Sequence, residues 1–236
     1  MKVMIIGASD TLGTYLPNPS QGTFGILSRE LPLVLNEPVE VTHMRFYSHF
    51  PNAPEHALAS VREREIDIAV IAAHSLAFST PSLGARLIHL FGWRVGRWLE
   101  RRIWDADQKA RKGGVLGAVR EPARALAYRV FGTATYSSVE ETIRRYADTI
   151  GLLARVEDLQ LILLGTFQPR RDGELAPHLQ LNAGLASIAR ARHIPWIDRQ
   201  AIVTELGSDA FQPSGLYSTP LVHKKVAEAV LASFTR

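Results

Sequence analysis

The sequence predicts an α/β protein built on a doubly wound, mostly parallel sheet with helices on both faces. Three observations predict it. Short runs rich in Val, Ile, Leu and Ala recur along the chain, as expected of strands buried on both faces. Longer segments with helical apolar periodicity alternate with them. The chain has 236 residues, 46% hydrophobic and 21% charged, which suits one large α/β domain rather than a disordered chain.

The strand candidates are Val3–Ala8, Val39–Phe46, Ile66–Ala73 and Leu159–Gly165, with a short fifth at Ile194–Ile197. Helices are expected at roughly Thr23–Leu35, Pro54–Glu65, Ser138–Val156, Leu179–His193 and Leu221–Phe234. Ser137 or Ser138 ahead of Glu140 and Glu141 supplies an N-cap with acids in the first turn. There is no internal repeat and no low-complexity linker.

One segment, Leu83–Gly132, interrupts the alternation between the third and fourth strands. It carries eleven Lys and Arg against four acids, a net +7, in a chain whose total is +4. The remainder is therefore at −3, and the basic character belongs to the insertion. Drawn as one helix, it places Ile88, Phe91, Val95, Trp98, Leu99 and Ile103 on one arc and Arg86, Arg97 and Arg101 on the other. A basic amphipathic helix over Arg86–Trp104 suits four roles: packing on its own domain, acting as a lid over an acyl-binding cleft, meeting a membrane surface, or docking a partner protein. No nucleic-acid motif accompanies it, so nucleic acid is not an expected partner.

Other features narrow the chemistry. With no cysteine there is no disulfide, thiolate metal site or Cys nucleophile. His43, His49, His56, His89, His178, His193 and His223 show no metal-ligand spacing, so neither metal nor cofactor is expected. The chain opens on the strand-like run Lys2–Ile6 without a signal-peptide pattern, and no apolar stretch approaches the roughly 20 residues of a bilayer span. A cytoplasmic protein is the expectation.

The first strand runs into Gly7-Ala8-Ser9-Asp10-Thr11-Leu12-Gly13, which allows two readings. A dinucleotide-binding turn would use Gly7 and Gly13, but its middle glycine is Asp10, where a carboxylate would meet the diphosphate. The second strand exits on Arg45-Phe46-Tyr47-Ser48-His49 with no acid for a ribose, and no tyrosine has lysine four residues on. This nucleotide-binding reading is the minor alternative. The other reading is a strand that ends on a nucleophilic serine, Ser9.

"IIGASDTLGTY" followed by "GTFGILSREL" resembles the first block of the SGNH (GDSL) hydrolase family. "IDIAVIAAHS", "SSVEETIRRYADTIGLLARVEDLQLILLGTFQP" and "SGLYSTPLVHKKVAEAVLASF" resemble its later blocks in the same order. The resemblance implies a three-layer α/β/α, flavodoxin-like domain spanning 1–236. It implies a five-stranded parallel sheet of order 2-1-3-4-5, with 83–132 as its helical insertion. It also implies that Ser9 attacks an ester or thioester carbonyl of a small acyl substrate.

The motif positions depart from the family. Its acid before the serine is Ala8, its second-block glycine has no counterpart in "FYSHFPNAP", and its oxyanion asparagine is replaced by His74. Its last-block Asp-x-x-His becomes Ser214-Gly215-Leu216-Tyr217, so Tyr217 stands at the base position. His223 matches a second, non-catalytic histidine of that block. Losing a general base costs about 10²–10⁴ in rate, and losing an oxyanion donor about 10²–10³. Either the site is rewired, with His74 beside Ser9 as base or oxyanion donor and Asp10, Ser75, Thr166 and Ser214 as polar contacts, or hydrolysis is lost. In the second case the fold serves as a binding or accessory module, or runs a different reaction in the inherited pocket.

Overall fold

The first strand, β1 (Lys2–Gly7), is paired along both its edges in a sheet whose strand pairings are all parallel. In this computed structural model, residues 1–8, 10–79, 81–111, 126–127, 129–168, 175–213, 215 and 217–234 are described, with the backbone alone for 104 and 106–111. Ser9 and Ser214 lie outside the described residues. After β1 come α1 (Thr23–Leu35), β2 (Glu40–Arg45), α2 (Ala53–Glu63), β3 (Ile68–Ala72) and α3 (Leu83–Arg111). They are followed by α4 (Val139–Leu153), β4 (Gln160–Leu164), α5 (Leu175–Ala191), β5 (Trp196–Ile197), α6 (Arg199–Leu206) and α7 (Pro220–Leu231). The strand order is β2-β1-β3-β4-β5, the order expected. Of these, α6 was not anticipated: its eight residues are too few to show a helical period.

Strand alternation divides the core between two faces. Val3, Ile5, Ile68, Val70, Ala72, Ile162 and Leu164 pack with Leu27 and Leu31 of α1, Val203 of α6 and Val222, Val226 and Val230 of α7. The intervening residues Met4, Ile6, Ala69, Ile71, Leu161 and Leu163 are equally buried and point the other way. The remaining helices pack as pairs, α2 on α4 and α4 on α5, and bury Val61, Tyr146, Ile150, Leu153, Leu181 and Leu185. Burial on both faces explains why the strands read as unbroken apolar runs.

The glycine turn after β1 has a packing reason. Gly13 adopts φ +66, and a Cβ there would meet the Gly22 Cα at 2.8 Å. A Cβ on Gly22 would in turn meet the Gly13 Cα at 2.6 Å. Two backbone segments cross here with no room for a side chain, so the glycine spacing is accounted for without a diphosphate. The strand order also differs from the 3-2-1-4-5-6 order of the dinucleotide fold. The Rossmann-like topology of the minor alternative is therefore not the one present.

By its contacts the chain divides into two units, Met1–Leu76 with Val139–Arg236, and Ala77–Ser138. The second unit corrects the expectation of one continuous amphipathic helix over Arg86–Trp104. Gly92, with φ +75 and ψ 168, breaks α3 into two arms. A Cβ on Gly96 would strike the Ile88 backbone, and one on Gly84 would strike Glu100, so the arms fold back antiparallel as a hairpin. A wheel drawn through Gly92 mixes residues of both arms, which is why Phe91, Val95 and Trp98 are exposed rather than core-facing. The returning chain is tied alongside: Arg86 donates to the Phe131 carbonyl at 3.0 Å, His89 Nε2 lies 2.8 Å from the Thr135 carbonyl, and Tyr136 donates to Glu100 at 2.6 Å. Among the described residues, no helix is long and apolar enough to cross a membrane.

Candidate functional site

Because β1, β3 and β4 are parallel, the residues after them leave the sheet at one carboxyl edge, where open α/β sheets place their ligands. Asp10 follows β1, His74 and Ser75 follow β3, and Thr166 follows β4. A residue absent from the expected set ties these ends together. Arg199, at the start of α6, is only 4% exposed, and it donates to the carbonyls of Ala73 and Gly165 and to Asp10 Oδ2, the last at 2.8 Å. Its guanidinium lies over the Phe167 ring, 5.2 Å from the centroid. Asp198 caps the same helix by accepting from the Ala201 N–H at 3.1 Å, which fixes the direction in which Arg199 leaves.

The electrostatics follow from this placement. Burial pushes the Asp10 carboxyl up, but the Arg199 charge and hydrogen bond outweigh it and hold the group below its ordinary 3.8. Asp10 is therefore a carboxylate, and its buried Oδ1 has no hydrogen-bond partner among the described residues. Burial drives the His74 imidazole down to about 4 against the pull of Asp10 and the Phe46 carbonyl, with Arg199 adding to the fall. It is neutral at pH 7. Apart from the pull of the Phe46 carbonyl, neither ring nitrogen of His74 has a hydrogen-bond partner among the described residues. The ring is held instead by edge contacts with Tyr47 and Tyr146, at centroid distances of 5.5 and 6.4 Å, and by its own backbone N–H donating to the Tyr146 hydroxyl at 3.2 Å.

A cavity of about 30 Å³ opens beside Asp10, lined also by Gly13, Tyr15, Phe167, Tyr217 and His223. That is room for about one water molecule. Tyr15 and Tyr217 stack over it with centroids 3.9 Å apart, and Tyr217 is 36% exposed. Burial raises the Tyr217 hydroxyl above its ordinary 10, as does its neighbour Tyr15, so it is no base near neutral pH. His223 is fully engaged: Nδ1 accepts from the Thr23 N–H at 3.3 Å and Nε2 lies 2.9 Å from the Ser218 hydroxyl. The first contact places the proton on Nε2, which then donates to Ser218. Burial drives His223 down to about 4, so it too is neutral.

The expected residues thus fall into groups. Asp10 and Tyr217 share the cavity, whereas His74 and Thr166 are not among its lining residues. Thr166 is buried, its N–H donating to Asn182 Oδ1 at 2.8 Å while its carbonyl accepts from Asn182 Nδ2 at 2.9 Å. Ser75 is half-buried directly after His74. Sequence reasoning missed Arg199, Asn182 and Tyr146. Asn182 carried a readable signal, a polar residue in the buried stripe of Leu181 and Leu185. Arg199 carried none, being one of 27 Lys and Arg without a pattern.

The geometry defines a three-layer α/β/α protein with a polar site at the carboxyl edge of a five-stranded parallel sheet. Comparison with solved structures specifies the class. The fold is similar to that of a protein named TesA, at 12% identity, TM-score 0.60, with 99% of this chain and 98% of that one covered. It is similar to the lipase/acylhydrolase from Enterococcus faecalis, at 14% identity, TM-score 0.59, with 99% and 94% covered. A lipolytic protein of the G-D-S-L family from Veillonella parvula DSM 2008 matches at 13% identity, TM-score 0.59, with 100% and 99% covered. No family model matches the sequence, and neither does any curated protein. The chain has the SGNH hydrolase-like fold.

Proposed function

We propose that this protein is a hydrolase of acyl esters or related small acyl groups, with Ser9 as nucleophile and His74 as its base. The observation that supports the reading is the state of His74. It is buried at the carboxyl edge and neutral, and apart from the Phe46 carbonyl its ring nitrogens have no partner among the described residues. A buried imidazole with so few partners carries a desolvation cost, and a catalytic role is one reason such a group is kept. His223, the other buried histidine near Asp10, is spent on Thr23 and Ser218.

In the proposed reaction Ser9 Oγ bonds to the acyl carbon as its proton passes to His74. The bond to the leaving alcohol then breaks, and the imidazolium returns that proton to the departing oxygen. Water repeats the sequence on the acyl-enzyme and releases the acid. The nearby Asp10 carboxylate favours the imidazolium, opposing the burial that disfavours it. Asp10, Ser75 and Thr166 are polar groups for substrate along this edge, and Ser214 is proposed to join them.

One observation favours a second reading, a binding or accessory module that has lost hydrolysis: the cavity beside Asp10 is small, about 30 Å³. Labelling with a fluorophosphonate separates the two. The hydrolase reading expects covalent modification at neutral pH that disappears in Ser9→Ala and falls by about 10²-fold or more in His74→Ala. Folded protein that is not labelled, yet binds a small acyl ligand, selects the module. Loss in Tyr217→Phe but not in His74→Ala would keep the serine and replace its partner.

A further inference from the structure

The hairpin of α3 turns at Gly92, and its turn is apolar. Leu90, Phe91, Val95 and Trp98 are 47%, 48%, 51% and 56% exposed, on the last turn of one arm and the first turns of the next. Single exposed apolar residues are ordinary, but four large ones clustered about one turn are not. The surrounding charge is mostly positive. Between Gly84 and Ile103 the hairpin carries five arginines and a single acid, Glu100, which is already bonded to Arg97 and Tyr136. Arg94, Arg101 and Arg102 are exposed, and the Arg102 guanidinium lies 5.4 Å from the Trp98 ring centroid.

We propose that this hairpin tip docks on an anionic lipid surface, with Leu90, Phe91, Val95 and Trp98 entering the headgroup boundary and Arg94, Arg101 and Arg102 meeting lipid phosphates. Charge complementarity selects this occupant. An anionic interface offers apolar acyl groups beneath negative headgroups, which suits exposed apolar side chains at the turn with exposed arginines on the same hairpin. A tryptophan with a cation over its ring is suited to that boundary, with one surface apolar and its edge wet. A second copy of the chain would bring its own arginines against these, at a repulsive cost. The tip can act without any contribution from the carboxyl-edge site, so the proposal does not rest on the hydrolase reading.

The test is flotation of the full chain with phosphatidylcholine vesicles, with and without phosphatidylglycerol. Binding is expected only where phosphatidylglycerol is present, and it weakens as salt is added. Phe91→Ser with Val95→Ser should weaken it about tenfold or more, from the apolar area no longer buried. Arg94→Gln, Arg101→Gln and Arg102→Gln should each weaken it about fivefold and reduce the salt dependence. Circular dichroism establishes that each variant is folded. Absence of vesicle binding by the unaltered chain overturns the proposal, as does binding that none of the substitutions changes. An unaltered chain that sediments as a dimer, and a Phe91→Ser, Val95→Ser variant that sediments as a monomer, would assign the patch to a second copy instead.

Discussion

Arg199 and Asp10 stand 189 residues apart in sequence and are joined by an ion pair of 2.8 Å, with the arginine side chain 5% exposed and the carboxylate 27%. The same guanidinium caps the carbonyls of Ala73 and Gly165, so one side chain braces the exits of β1, β3 and β4. Removing the arginine strands a carboxylate and two carbonyls. Arg199→Met is therefore expected to cost about 3–5 kcal/mol, the range for breaking a buried pair from one side. Asp10→Asn keeps a hydrogen-bond acceptor and should cost less. Urea denaturation measures both, and equal losses would show that the pair, not the carbonyl caps, supplies the stability.

Two of the buried histidines, His74 and His223, lower the stability of the folded chain in acid. His74 and His223 both fall from 6.5 to about 4, so between those values the unfolded chain binds protons that the folded chain refuses. Their contribution is complete above about pH 6.5 and is lost as pH falls toward 4, at about 2–3 kcal/mol per histidine. Asp10, lowered from 3.8, adds a separate loss at still lower pH. Stability measured by denaturant across this window should drop steeply in the native chain. In His74→Asn the slope should be reduced, though not abolished because His223 and His43 are lowered as well, and an unchanged slope would deny that His74 is buried neutral.

The proposed chemistry carries its own pH signature. If His74 is the base, fluorophosphonate labelling stays level from neutral pH down to about 5 and declines with an apparent midpoint near 4, where the imidazole gains a proton. A midpoint near the ordinary 6.5 would identify a solvated histidine as the base instead.

Gly13→Ala tests the backbone crossing. The substitution places a Cβ at positive φ and 2.8 Å from the Gly22 Cα, with backbone on both sides and no flexible group to yield. A loss of about 2 kcal/mol or more is expected by thermal unfolding, from left-handed strain plus overpacking. A neutral outcome would mean that the two segments can separate.

Gly96→Val tests the hairpin. Its side chain would run into the Ile88 backbone, so the arms of α3 must part. Proteolysis within Leu83–Arg111 should accelerate while the sheet of the other unit keeps its cooperative unfolding. Resistance equal to that of the unaltered chain would show that the arms are not held together at this point.

The strands, their parallel pairing and most helices were legible because each leaves a periodic mark in consecutive residues. Val3–Ile6, Ile68–Ala72 and Leu161–Leu164 are apolar without alternation because both faces of the sheet are covered, a property visible in a window of five residues. The strand order and the descent of His74 to the same edge as Asp10 followed from the block order and agreed with the observed sheet. A single glycine undid the amphipathic wheel of the insertion, because periodicity assumes an unbroken helix and Gly92 at φ +75 reverses the chain. The site was less legible still. No local pattern distinguishes Arg199 from the other arginines, and its role exists only where Ala73, Gly165 and Asp10 meet it from three different strand exits. The sequence by itself determined the fold, because secondary structure and burial are written in neighbouring residues. Only the tertiary structure decided that His223 is held by Thr23 and Ser218 while His74 is held mainly by ring contacts, since partners such as Thr23, 200 residues from His223, become neighbours only when the chain has folded.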